Sequence, residues 1–340
     1  MPLFSLPLLS QPASPALLLT AGLAVAVLLV NGWTDAPNAI AGAVATGALP
    51  FRRAVVLAAV CNFLGVLCVT SVNASVAETI YSIARFGGGT RAAGLALCAA
   101  MLAVVLWATL AWRFGIPTSE SHALVAGLSG AAVALEGNLS CIRWDCWGRV
   151  LLGMALSALA GFWAGRFALQ WVDSIKLSRH TALLAQVPGT ACVAFLHGAQ
   201  DGQKFLGIFL QGLSLARGEE GGALPSIPLW LVALCAAGMA LGTLMGGRRI
   251  IDRVGREMVA LGPREGLAAD LGNLVCLLGA TWLGLPVSTT HTRTAALLGV
   301  GVAGGGPVRW EVARGIALAW ALTFPACMAL GYVLTGLMPV

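Results

Sequence analysis

Two short stretches hold most of the side chains able to do chemistry in this chain, and each occurs twice. "NGWTDAPNAI" (31–40) sets Asp35 beside Asn31, Thr34 and Asn38, and "HGAQDGQK" (197–204) sets Asp201 beside Gln200, Gln203 and Lys204. A carboxylate flanked by neutral oxygens is the donor set of a small hard cation, and an acid in apolar surroundings is also a candidate carrier of protons. Gly32, Gly198 and Gly202 would let the helix break in both copies, so that backbone carbonyls join the set. "GIPTSESHALVAG" (115–127) and "GLPVSTTHTRTAA" (284–296) concentrate hydroxyls instead. Proline followed by Ser or Thr suits the first turn of a helix, whose free amides and positive end can hold an anion. Ser119, Ser121, Ser288, Thr289 and Thr290 are therefore candidate oxyanion contacts.

Each residue has a plainer alternative. A single Asp can cap a water-facing helix end, and a single Ser can cap any helix, but neither role calls for a matched pair. Lys204 is one of two lysines, the other being Lys176, and stands three residues from Asp201. A buried ammonium there neutralises the carboxylate, binds an anion or carries protons; snorkelling to the interface is the alternative. Glu120 stands where the other copy has Thr289. An ionised Glu would repel a bound anion, so Glu120 is expected to be protonated or paired with a cation, which makes it another candidate proton carrier. His122 and His291 are supporting or packing residues, because no further Cys or His stands at metal-ligand spacing. "SESH" is not a hydrolase triad, since Ser and His share one short segment and no G-x-S-x-G elbow occurs, so no enzyme is expected.

These motifs interrupt a chain that is 58% hydrophobic and 10% charged over 340 residues, against about 25% charged in a typical soluble domain. Apolar runs long enough to cross a bilayer recur throughout, and strands of a β-barrel would alternate instead. An all-α, multi-pass protein of the inner (cytoplasmic) membrane follows, with lipid as its surround. The net charge of +6 comes from arginines between apolar runs rather than on one basic face, so no nucleic-acid partner is expected. The densest segment, "GGRRIIDRVGREMVALGPRE" (246–265), belongs in the cytoplasm by the positive-inside rule, as a helix lying along the membrane surface. Nine scattered cysteines suit core filling; Cys141 and Cys146 would pair only in an oxidising compartment. The N-terminal "MPLFSLPLLSQPASPALLLT" runs into a full-length span without a charged leader, so it is not taken as a cleaved signal peptide.

An offset of 166 maps Gly32 onto Gly198 and Asp35 onto Asp201, and an offset of 169 maps Pro117, Ser119 and His122 onto Pro286, Ser288 and His291. Two halves are expected, 15–173 and 181–336, joined by a linker at 174–180. Duplication with interrupted apolar segments at matching places is the signature of a secondary transporter with its substrate site at the repeat interface. Each half would hold a run ending at the acidic motif, a second run (53–72 and 226–245), an amphipathic piece and a third run (92–112 and 266–283). A half-helix, broken or re-entrant, would follow the hydroxyl motif, before a final span. The Arg-rich segment answers to "YSIARFGGGTR", which carries only Arg85 and Arg91, an asymmetry that favours inverted repeats.

With "NGWTDAPNAIAGAVATGALPFRRAVVLAAVCNFLGVL", "HGAQDGQKFLGI" and the paired G-x-P-x-S-x-x-H segments, the chain resembles the PiT family of inorganic phosphate transporters. The resemblance covers both halves. It implies an all-α bundle of two inverted repeats, commonly a homodimer, that moves phosphate with a coupling cation and needs no cofactor. It implies cation or proton coupling at Asp35, Asn38 and Asp201, and phosphate contacts at Ser119, Ser121, Ser288, Thr289 and Thr290. Sodium-coupled relatives tend to carry Asn before the Asp and again three residues after it. Here Thr34 and Gln200 precede the acids and Lys204 replaces the second Asn, which favours protons over sodium as coupling ion. The expectation is a phosphate or metal-phosphate importer working by alternating access. Its rivals are a sulfate permease of the same fold, which a carboxylate at Glu120 disfavours, and a channel-like anion pore.

Overall fold

The computed structural model describes residues 15–87, 89–218 and 224–338; the leader question at residues 1–14 lies outside them. Among the described residues the first half contributes α1 (Pro15–Thr34), α2 (Pro37–Thr46), α3 (Phe51–Thr70), α4 (Ser75–Tyr81), α5 (Thr90–Arg113), α6 (Glu120–Glu136) and α7 (Trp144–Ser174). The second contributes α8 (Arg179–Ala216), α9 (Leu229–Leu244), α10 (Arg248–Asp252), α11 (Pro263–Trp282), α12 (Thr289–Ala303) and α13 (Trp310–Leu337). Six spans among the described residues are long and apolar enough to cross a bilayer, α1 and α2 counting as one; a seventh is the pair of α9 and the helical stretch 248–257, bent by 68°.

The path of the chain follows from what meets at the helix ends. Single bridges pair Ala84 with Ile142 and Val259 with Val308. The segment before α5 therefore lies beside the segment after α6, and each half makes an out-and-back excursion whose return leg is α6 or α12. With α1–α2, α3 and α7, the first half makes five passes. An odd number brings the chain into the second half from the opposite face, which inverts it. Contacts at the two faces agree: Arg249 of α10 donates to the Arg113 carbonyl at the end of α5 (3.1 Å), and Asn73, after α3, donates to the Thr281 carbonyl at the end of α11 (3.4 Å). By this path the start of α3 with Arg52, the end of α5 with Arg113, the start of α8 with Arg179 and the segment from Arg248 to Arg264 lie on one face, which the positive-inside rule assigns to the cytoplasm.

The halves interlock. The half-helix α6 packs on α13 and α12 packs on α7, while α1 lies against α9 and α3 against α8. Lipid tails are as apolar as the helices, so close backbone approach rather than hydrophobic exclusion holds such a bundle together. At Gly32 an added Cβ would lie 2.6 Å from the Thr243 amide nitrogen and 2.7 Å from the Gly242 backbone. Gly32→Ala is expected to push α1 off α9 and cost about 1–3 kcal/mol, read as a lower unfolding temperature of the purified protein; an unchanged transition would mean that this contact yields freely.

Two expectations are corrected here. The helix breaks at the first acidic motif but not at the second: α1 stops at Thr34 and α2 starts at Pro37, whereas α8 runs unbroken through Gly198, Asp201 and Gly202. The difference is proline. Pro37 removes an amide hydrogen and its ring crowds the preceding turn, and the residue at its place in the second copy is Gln203. Gly198 and Gly202 serve close packing instead, against the Asn62 backbone and the Val66 side chain. The Arg-rich segment is likewise not one surface helix. It forms α10 and a π-helical turn, Arg253–Glu257, with Ile250, Ile251 and Val254 buried and Gly255 tight against the Ala41 backbone of α2. Its apolar side is covered by protein. All nine cysteines are free, and Cys141 donates to the Asn138 carbonyl.

Candidate functional site

The acidic motifs and the hydroxyl motifs converge in one buried cluster between the halves. Ser119 and Ser288 cap the half-helices: their hydroxyls accept from the amides of His122 (3.4 Å) and His291 (3.2 Å). These bonds fix the first turns and leave the tips of α6 and α12 facing each other. The His122 and His291 rings meet edge to face at 4.6 Å, with Phe324 and Trp320 packed behind them. Across the tips, Thr290 Oγ1 lies 3.1 Å from the Thr118 carbonyl oxygen, its one hydrogen serving either that oxygen or Asp35 Oδ1.

Asp35 sits in the turn between α1 and α2. Its carboxylate accepts from Asn38 Nδ2 at 2.7 Å, from Thr289 Oγ1 at 3.1 Å and from Thr290 Oγ1. Asp201, mid-way along α8, accepts from Lys204 Nζ at 2.7 Å and from Asn31 Nδ2 at 3.2 Å, and its Oδ2 lies 3.3 Å from His197 Nε2. Thr289 Oγ1 also lies 3.5 Å from Asp201 Oδ2. A hydroxyl has one hydrogen, so Thr289 serves one aspartate at a time while touching both. Both carboxylates are about 1–2% exposed, as are Asn31 and Asn38.

Lys204 shows what the pseudo-symmetry does. Its ammonium donates to Asp201 Oδ1, Ser121 Oγ and the Val287 carbonyl, each at 2.7 Å. All three hydrogens are used, at 1% exposure, so the side chain does not snorkel. The same offsets map these ligands onto Asp35, Thr290 and Thr118, where the three oxygens also meet and Asn38 takes the place of the lysine. A carboxylate, a hydroxyl and a backbone carbonyl form the oxygen set that hard cations take. One of the two equivalent sets holds a cation attached to the chain; the other holds the neutral amide of Asn38 in that place.

Glu120, at the tip of α6, pairs with the Thr34 hydroxyl through Oε1; that hydroxyl also lies 2.7 Å from the Val30 carbonyl oxygen and donates to it when Glu120 is protonated, while the buried Oε2 has no partner. Gln200 and Gln203 depart from expectation. Gln200 donates to Thr281 and the Leu285 carbonyl, and Gln203 to the Asn73 carbonyl, so neither amide turns to Asp201. One or two residues along a helix rotate a side chain by about 100–200°, which carries both onto other faces of α8. His197 is a residue the motif contained but the sequence argument passed over. Its Nδ1 pairs with Asn62 Oδ1 at 3.0 Å, and it occupies the place of Asn31 at the same offset of 166, which was the available signal. Asp35, His197 and Asp201 offer ligand atoms within 4.8 Å of one another, a group able to hold one ion. Also unforeseen is a buried ion pair, Arg293–Asp270, at 2.6 Å.

Comparison with known proteins gives the family and the fold. The chain is 33% identical over 320 residues to a Bacillus subtilis protein named "Probable low-affinity inorganic phosphate transporter", covering 91% of this chain and 93% of that one. A Rhizobium meliloti protein of the same name is 36% identical over 308 residues, covering 87% and 89%. A solved structure titled "The sodium-dependent phosphate transporter" shares the fold, with a TM-score of 0.82 at 21% identity over 95% of this chain and 98% of that one. The model of the phosphate transporter family matches twice, over residues 31–186 and 176–331. With both copies of the family's pattern present and relatives aligned over nearly its whole length, this multi-pass membrane protein belongs to the phosphate transporter family.

Proposed function

We propose that the chain imports inorganic phosphate, alone or as a metal-phosphate complex, by alternating access, driven by one exchangeable cation that is a proton. The observation that carries this is the unequal pair of cages: Lys204 fills the one at Asp201, and Asn38 leaves the one at Asp35 to a mobile cation. The anion would rest on the first-turn amides and hydroxyls of α6 and α12, between the two aspartates. Asp35 is surrounded by donors, namely the Asn38 amide and the hydroxyls of Thr289 and Thr290. A proton placed on such a carboxyl needs one of these hydroxyls to turn and accept it, whereas sodium also requires the Asn38 amide to present its oxygen. That favours the proton.

Phosphate over sulfate is supported by Glu120. Its Oε2 has no partner at the tip of α6; as the carbonyl oxygen of a protonated acid it accepts a hydrogen bond without adding negative charge, and HPO4²⁻ carries a proton to give it where SO4²⁻ has none. The relatives' names give the same substrate. Liposomes holding the purified protein test the whole proposal, with labelled phosphate followed under a proton gradient or a sodium gradient imposed separately. Uptake under the proton gradient, unaffected by sodium and not displaced by excess sulfate, is expected. Equal uptake under both gradients, or displacement by sulfate, contradicts it.

A further inference from the structure

The Arg293–Asp270 pair plays no part in the transport cluster described above. Arg293 and Asp270 are 1% and 0% exposed in their side chains, and Thr190 of α8 holds the second carboxylate oxygen at 2.8 Å. Asp270 engages Nη1 alone. Nε and Nη2 of Arg293 are buried without a partner, as is Nε2 of Gln186, whose Oε1 accepts from Thr46 at 2.7 Å. The unused edge of the guanidinium is its side-on fork, the pair of parallel N–H groups that matches two oxygens of a tetrahedral anion. A buried donor left unpaired is costly and rare enough to call for an explanation, and here three lie in one polar column.

The position of the column gives the explanation. Arg293 stands one turn beyond Thr289 on the same side of α12, and α12 runs from its central tip to the Arg-rich face. Gly42 on α2 makes room for the guanidinium, since a Cβ there would lie 2.3 Å from Nη2. Thr190 and Gln186 continue along α8, and Thr46 ends α2 beside Gln186 at the cytoplasmic side. The offsets that relate the halves put Leu124 at the place of Arg293 and Ala24 at that of Thr190, both buried and apolar. Among the described residues the guanidinium therefore has no counterpart on the other side of the central cluster, where Thr20 stands at the place of Gln186.

We infer that the Nε–Nη2 edge of Arg293 is a second oxyanion subsite, where phosphate rests between the central cluster and the cytoplasm, with Asp270 and Thr190 holding the guanidinium in place. The inference rests on the transport function proposed above. It predicts a sidedness that a merely structural ion pair would not produce. Arg293→Gln combined with Asp270→Asn removes the fork without stranding a buried charge. In right-side-out and inside-out membrane vesicles, this variant is expected to raise the phosphate KM at the cytoplasmic face by about tenfold, the equivalent of about 1.4 kcal/mol. The KM at the outer face should stay within about a factor of three, less than about 0.7 kcal/mol. Arg293→Lys keeps the charge without the fork and should raise the cytoplasmic KM as well. Equal KM changes at both faces, no change at either, or full rescue by lysine would overturn the subsite. Wild-type vesicles that move no phosphate from either face would instead remove the function on which it rests.

Discussion

Asp35→Asn is expected to abolish net phosphate uptake while leaving phosphate exchange in place. The substitution keeps the shape and removes only the charge, so the cage formed with Thr290 and Thr118 stays permanently in the state that a bound proton would create. A carrier fixed in its loaded form can still shuttle loaded with anion, but cannot return empty after giving up its coupling ion. Uptake from low phosphate should fall by at least about a hundredfold, or about 2.7 kcal/mol, with counterflow from preloaded liposomes within about threefold of wild type. Uptake that survives at wild-type rate would place the coupling ion elsewhere. Loss of counterflow together with uptake would make Asp35 an anion contact or a structural residue.

Lys204→Asn should convert a built-in cation into a soluble one. Without the ammonium, Asp201 is a buried carboxylate facing only Asn31, His197 and the shared Thr289 hydroxyl, and stranding one member of a buried ion pair costs about 3–5 kcal/mol. The vacated oxygens of Asp201, Ser121 and Val287 are a cation's ligands. A cation present at 100 times its Kd would restore about 2.7 kcal/mol. The variant is therefore expected to unfold at a lower temperature in choline chloride, to recover in sodium chloride, and to show sodium-dependent uptake with weaker dependence on protons. Stability and uptake that match wild type in choline chloride would take Lys204 out of the mechanism.

What the sequence makes legible is whatever the duplication repeats. Asp35 and Asp201, the two hydroxyl motifs and the order of elements in each half all announce themselves as pairs, and an intramembrane carboxylate is rare enough to draw attention by itself. What stayed hidden depends on helix phase and on single residues. The offset of 166 aligned the acidic motifs without showing that Pro37 alone breaks its helix, because the consequence of a proline is local. Gln200 and Gln203 looked like ligands from their nearness in sequence to Asp201, but the turn of α8 points them at Thr281, Leu285 and Asn73. Asp270 and Arg293 are 23 residues apart on different helices and have no charged counterpart at Leu124. Nothing in the pattern joined them.

The central claim is that phosphate lies between the tips of α6 and α12, flanked by the Lys204 ammonium on one side and Asp35 on the other. A density map of the full-length protein in lipid, collected with and without phosphate, tests it most directly. Tetrahedral density that depends on phosphate is expected within about 3 Å of the first-turn amides and hydroxyls at residues 119–121 and 288–290. Phosphate-dependent density confined to the Arg293 fork or the outer face, with none between the tips, would contradict the account.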